Sequence, residues 1–194
     1  MFYKICCRLV KFFLLFAFRI KVYGAENVPS GGGVIIAVNH RSNWDVPVAG
    51  ASCPRRLTFM AKSELFKNPV FAGLISSLGA FPIKRGKGDI GAVKAALTIL
   101  SQERAMLIFP EGTRNHTGKP LARIKEGLAL FAIRAEVPVV PVFIEGEYKW
   151  LSKITVTYGA PMYFKEYYGK KTAPEQLAEV SAEIYKTMWS LKSD

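Results

Sequence analysis

Two side chains in the stretch NHRSNWD have the types needed to move a proton: the imidazole of His40 and the carboxylate of Asp45. Imidazole titrates near neutral pH, and a carboxylate can fix its tautomer. His40 is one of two histidines in 194 residues. On an unbroken helix, a five-residue offset turns the pair about 140° apart, and on a strand it sends them to opposite faces. A turn between them is needed for contact, and Asn39, Ser42 and Asn43 are turn and cap formers. A plainer alternative stays open here. Asp45 then only caps a helix, with Ser42 as N-cap at capping-box spacing, and His40 is a polar residue at a strand end.

A second cluster follows the apolar run AMLIFP. Glu111, Gly112, Thr113 and Arg114 come directly after it, and Lys125 opens the next helical segment. In α/β domains ligand-binding residues gather where strands end. Gly112 permits a tight turn there, Arg114 could grip a phosphate bidentately, and Lys125 adds a second cation. The alternative is a surface hairpin in which Glu111 and Arg114 pair with each other. A third cluster, Lys84, Arg85 and Lys87, follows the run AFPI, where a solvated basic loop is the commoner meaning.

The elements that must position these groups follow from pattern. VIIAV is β-branched and apolar throughout, as a strand buried on both faces requires. Further strands are expected at RLTFMA, AFPI, AMLIFP, VPVVPVFI and KITVTYG, the prolines of VPVVPVFI suggesting an edge or a strand end. Helices are expected at DVPVAGAS, at NPVFAGLISSLG with Pro69 in its first turn, and at IGAVKAALTILSQE capped by Asp89. Two more are expected at RIKEGLALFAIRAE and after Pro174, where Leu177, Val180, Ile184, Met188 and Leu191 recur at helical spacing. Strands alternating with helices predict a single α/β domain over residues 25–194, with a mostly parallel or mixed central sheet flanked by helices.

Charge is uneven. Of the net +12, residues 1–90 hold 13 Lys/Arg against 4 Asp/Glu, and the remainder 14 against 11. The first half therefore attracts an anionic partner. Residues 1–24 are expected to form an amphipathic helix in the membrane interface. Lys4, Arg8, Lys11 and Arg19 fall within an arc of about 80°, while Phe12, Phe13 and Phe16 lie among the apolar remainder. Its uncharged run FFLLFAF is far short of the roughly 20 residues that span a bilayer, and no A-x-A-like cleavage site follows. Cys6, Cys7 and Cys53 suggest no disulfide framework, which fits a reducing compartment, and no ligand spacing suggests a metal.

Together the clusters resemble the 1-acyl-glycerol-3-phosphate acyltransferase family. NHRSNWD fits its N-H-x4-D block, and KSELFKNPVFAGLISSLGAFPIKR its second. FPEGTRN fits the third, where serine is commoner than Asn115, and VPVVPVFIEG the fourth. The resemblance implies acyl transfer from acyl-coenzyme A or acyl-carrier protein to the sn-2 hydroxyl of lysophosphatidic acid, with no bound cofactor. His40 would be the general base and Asp45 its orienting partner. Glu111, Gly112, Thr113 and Arg114 would hold the acceptor headgroup, with Arg85 and Lys125 on its phosphate. Backbone N–H groups around Val139 are the expected oxyanion donors. The implied setting is the cytoplasmic face of an anionic phospholipid membrane, peripheral or monotopic. The same chemistry on glycerol-3-phosphate or another lysophospholipid is the runner-up. A basic binding module without catalysis is the reading from another class. Nucleic acid is not an expected partner, since no RNA-binding aromatic signature or helix-turn-helix pattern is present.

Overall fold

The computed structural model describes residues 5, 9, 12–14, 16–83, 90–122 and 124–193. Among these, seven strands form one sheet: β1 (Arg19–Tyr23), β2 (Val34–Val38), β3 (Leu57–Lys62), β4 (Ala80–Ile83), β5 (Ala105–Ile108), β6 (Val139–Glu145) and β7 (Lys153–Tyr158). Their order across the sheet is β1-β7-β6-β2-β5-β3-β4. Every neighbouring pair is parallel except β6 with β7. The helices are α1 (Asp45–Ser52), α2 (Pro69–Ser77), α3 (Ile90–Ser101), α4 (Gly127–Ala135) and α5 (Pro174–Ser190).

Strand β2 lies at the centre because all five of its residues can be buried. Val34, Ile36 and Val38 face a core shared with Leu57, Leu107, Val142 and Val156, while Ile35 and Ala37 face the opposite core with helices α3, α4 and α5. The period of two thus feeds two hydrophobic layers, each fully buried Val or Ile contributing about 1.5–3 kcal/mol of transfer free energy. From β2 the chain crosses to β3 and β4, returns through β5, and passes back over β2 to β6. The carboxyl ends of β2 and β5 therefore lie side by side where the winding reverses, the usual location of an α/β site.

Two expectations are corrected. The N-terminal helix does not run to residue 24. Residues 12–14, 16 and 17 are helical, but Arg19–Tyr23 is a strand paired in parallel with β7. The alternation R-I-K-V-Y has the period of a strand, and charged side chains suit an edge. The proline-bearing strand β6 is internal, not an edge. Pro141 is tolerated because antiparallel pairing with β7 starts at Val142, one residue later, and the Pro141 carbonyl accepts from Gly159 N. The expected cap Asp89 lies outside the described residues.

Candidate active site

The chain leaves β2 at Asn39 and turns at once. The buried Asn39 side chain extends the ladder to β6: Nδ2 donates to Ile144 O at 2.9 Å and Oδ1 accepts from Ile144 N at 2.7 Å. His40 and Asp45 then meet, as a turn between them allows. Nδ1 of His40 is 2.9 Å from Asp45 Oδ2. The same oxygen accepts the backbone N–H groups of Arg41 and Ser42, both at 2.6 Å, and Oδ1 accepts Tyr148 Oη–H at 2.7 Å. The capping-box expectation is half met. Asp45 reaches back to the Ser42 N–H, but Ser42 Oγ accepts from Trp44 N at 3.2 Å, and the N-cap of α1 is Trp44.

Asp45 is 1% exposed. Burial alone pushes its carboxyl upward, but hydrogen bonds from His40, Ser42, Tyr148 and Arg41 outweigh burial and hold it below the ordinary value. Burial, followed by the adjacent Asp45 carboxylate, raises the Tyr148 phenol, which stays a protonated donor. An ionised Asp45 selects the His40 tautomer with hydrogen on Nδ1, which leaves the Nε2 lone pair to accept a proton. The imidazole stacks on Phe109, with centroids 4.0 Å apart and planes 19° from parallel.

Glu111 has turned inward, 5% exposed. Its Oε2 accepts the His40 backbone N–H at 2.8 Å, and its Oε1 accepts Asn115 Nδ2 at 2.9 Å and Tyr185 Oη at 3.0 Å. Asn115 N donates to His40 O at 2.7 Å, so both backbone groups of His40 are fixed by the strand-end loop of β5. The Glu111 carboxylate is thus engaged by His40, Asn115 and Tyr185, and the alternative pairing with Arg114 is not what it does. Thr113 and Arg114 are exposed beside it. Gly112 sits at φ +66, and a Cβ there would stand 2.7 Å from Lys125 Cε, so the lysine stem lies across the glycine. Phe109, Gly112 and Lys125 border a cavity of 310 Å³ whose walls include Met60, Leu128 and Phe131.

Other expected residues do not join the cluster. Val139 is buried at the amino end of β6, and its N–H donates to Met162 O at 3.0 Å, so it offers nothing to an oxyanion beside His40. Strand β6 runs parallel to β2, and the carboxyl end of β6, not its start, adjoins the dyad. Arg19 belongs to β1, where its Nε donates to Leu151 O at 2.9 Å. Phe12, Phe13 and Phe16 are exposed, whereas Leu14, Ala17 and Phe18 on the same segment are buried in the core. Arg85, Lys4, Arg8 and Lys11 lie outside the described residues.

Asn39, Asn115, Tyr148 and Tyr185 support the site without having been singled out for it. Asn39 and Asn115 sit inside motifs already quoted. Tyr148 and Tyr185 come from the β6–β7 turn and α5, and nothing local in sequence couples them to His40.

In sequence and fold the chain is similar to known acyltransferases. The acyltransferase family model matches residues 19–145. A 1-acyl-sn-glycerol-3-phosphate acyltransferase of Bacillus subtilis is 32% identical over 145 residues, 74% of this chain and 71% of the relative. The Streptococcus pneumoniae enzyme of that name is 38% identical over 58% of this chain and 41% of its own length. For the human alpha form the figures are 35%, 66% and 46%. The chain thus spans less than half the length of the latter two. The crystal structure of the 1-acyl-sn-glycerophosphate (LPA) acyltransferase PlsC from Thermotoga maritima superposes with a TM-score of 0.74 at 26% identity. The match covers 99% of this chain and 82% of that one. The central seven-stranded sheet with flanking helices is common ground with that structure.

Proposed function

Because this chain belongs to the 1-acyl-sn-glycerol-3-phosphate acyltransferase family, we propose that it acylates lysophosphatidic acid at the sn-2 hydroxyl to give phosphatidic acid. The observation that carries the reading is the 2.9 Å contact between His40 Nδ1 and Asp45 Oδ2, with the imidazole stacked on Phe109, which lines an apolar cavity. The donor is an acyl thioester, acyl-coenzyme A or acyl-carrier protein. His40 Nε2 takes the acceptor hydroxyl proton as the oxygen attacks the thioester carbonyl. Asp45 stabilises the imidazolium that forms. As the tetrahedral intermediate collapses, the C–S bond breaks and the departing sulfur receives the proton. No serine or cysteine nucleophile is needed, because the acceptor hydroxyl attacks directly. The cavity behind Phe109 suits an acyl chain, and Arg114 and Lys125, with Arg85, suit the acceptor phosphate. Glu111 acts at one remove, by fixing the His40 backbone.

Both acceptor and product are membrane lipids. Exposed Phe12, Phe13 and Phe16 and the basic residues around them suit peripheral binding to an anionic leaflet on its cytoplasmic face. Among the described residues, no helix is long and apolar enough to cross a membrane.

The test compares the wild type with His40→Ala in detergent micelles, given oleoyl-coenzyme A and either lysophosphatidic acid or glycerol-3-phosphate. Thiol release is followed and the lipid identified by mass spectrometry. Phosphatidic acid from lysophosphatidic acid is expected from the wild type, with the rate falling about 10²–10⁴-fold in His40→Ala. Substantial residual turnover would remove His40 from the base role. Silence of the wild type with acyl-carrier protein as well as coenzyme A thioesters would refute the acyltransferase assignment.

A further inference from the structure

The turn between β6 and β7 carries two exposed apolar side chains at its tip, Trp150 at 61% and Leu151 at 51%. Leu151 has φ 57, in the left-handed region where a side chain is disfavoured and Gly or Asn is the usual occupant. Glu103 and Glu136, the other non-glycine residues with positive φ among the described residues, are charged and follow helices. An exposed leucine side chain gains nothing in water from such a backbone. The backbone is nevertheless firmly held. Leu151 N donates to Ala17 O at 2.8 Å, and Leu151 O accepts from Arg19 Nε.

The tip also continues a larger surface. Trp150 meets Phe16 edge to face at 5.4 Å, which joins the turn to exposed Phe12, Phe13 and Phe16. Exposed cations Arg19, Lys149 and Lys153 lie on the turn and the strand ends beside it; of the carboxylates nearby, Glu147 pairs with Lys149, and Glu145 lies further down the sheet, in a row with Thr155 and exposed Lys21. Indole and aliphatic groups ringed by ammonium and guanidinium groups match the boundary between acyl chains and anionic headgroups.

We propose that the Trp150–Leu151 tip is a second lipid-contacting element, seated beside the N-terminal helix in the interface of an anionic bilayer. This rests on the membrane reading above and extends it to a part of the chain well beyond the N-terminus. Tyr148, two residues before Trp150, donates to Asp45, so the tip would hold the dyad close to the leaflet that supplies the acceptor.

Co-sedimentation of the purified chain with vesicles of phosphatidylcholine and phosphatidylglycerol tests the proposal. Leu151→Asn keeps a residue that tolerates the left-handed region, and Trp150→Gln removes the indole. In the double variant, partitioning onto vesicles is expected to fall about tenfold or more. Its Tm and its thiol release with a short-chain, soluble acceptor should match the wild type. Leu151→Gly replaces the asparagine variant should the latter lower Tm. Unchanged vesicle partitioning in a folded double variant overturns the proposal. So does a wild-type chain that is dimeric without vesicles and becomes monomeric in the double variant. A wild type that binds vesicles through the tip but acylates neither acceptor would sink the enzymatic reading and leave the lipid contact standing.

Discussion

Asp45 is the residue on which the site converges. Four donors reach its two oxygens, and each comes from a different group: an imidazole, two backbone amides and a phenol. A carboxylate satisfied this fully is fixed in direction as well as in charge, which its service to His40 requires. Tyr148→Phe should therefore lower kcat about tenfold while leaving both Michaelis constants close to wild type, since the phenol touches Asp45 and not the proposed substrates. An unchanged kcat would reduce Tyr148 to a packing residue. Asn39 makes a different kind of demand. Asn39→Ala would strand the N–H and C=O of Ile144 inside the sheet, at a cost of about 1–3 kcal/mol in chemical denaturation. At this scale the sequence was informative wherever two groups lie close along the chain. His40 and Asp45 were legible because a turn can join residues five apart. Tyr148 was not, because it arrives 103 residues after Asp45 on a turn whose placement depends on the whole sheet.

Among the elements, the N-terminal segment best separates pattern from outcome. A basic stripe on an apolar background predicts an amphipathic helix, but the same arithmetic carries that helix into Arg19–Tyr23, which is a strand. Five residues cannot distinguish a helical arc from strand alternation, and the pairing with β7 decides it. The segment serves two masters. Leu14, 0% exposed, and Phe18, 5% exposed, belong to the core, while Phe12 and Phe16 face outward. Truncating the whole segment would confound folding with membrane binding, so point substitutions are the sharper probe. Leu14→Ala should cost about 2–5 kcal/mol of stability. Phe12→Ser with Phe16→Ser should leave Tm nearly unchanged and weaken vesicle binding. A matching loss of Tm in the serine variant would place those rings in the core and not at an interface. Pro141 teaches a similar point. A proline marks a gap in one ladder, and whether that gap lies at the edge of the sheet or where a partner strand has not yet begun is a tertiary matter.

For the molecule as a whole, the α/β class and nearly every element were legible from periodicity, since two buried layers around one sheet impose it. The strand order was not, because nothing in β1 announces β7. The placement of Val139 failed for the same reason: the fourth block has two ends, and only the sheet's direction says which end adjoins His40. The buried carboxylate also sets a global pH response. Asp45 lies below its ordinary value of 3.8 in the folded chain, so the fold favours its anion. That stabilisation is complete above 3.8 and is lost as pH falls through the lower, folded value. Denaturation between about pH 6 and 2 should show a steeper acid decline in the wild type than in Asp45→Asn, and parallel curves would deny Asp45 this role.

Parallel pairing of β1 with β7, Arg19 opposite Lys153, has a further consequence for how the chain comes to be built. During synthesis the Arg19–Tyr23 segment waits for a strand made more than a hundred residues later before it can join the sheet. Until then Leu14 and Phe18 are as bare as Phe12 and Phe16, and loop closure of that length is slow. During synthesis this segment is therefore an apolar and cationic tether, free to find a bilayer before the rest of the domain has folded behind it.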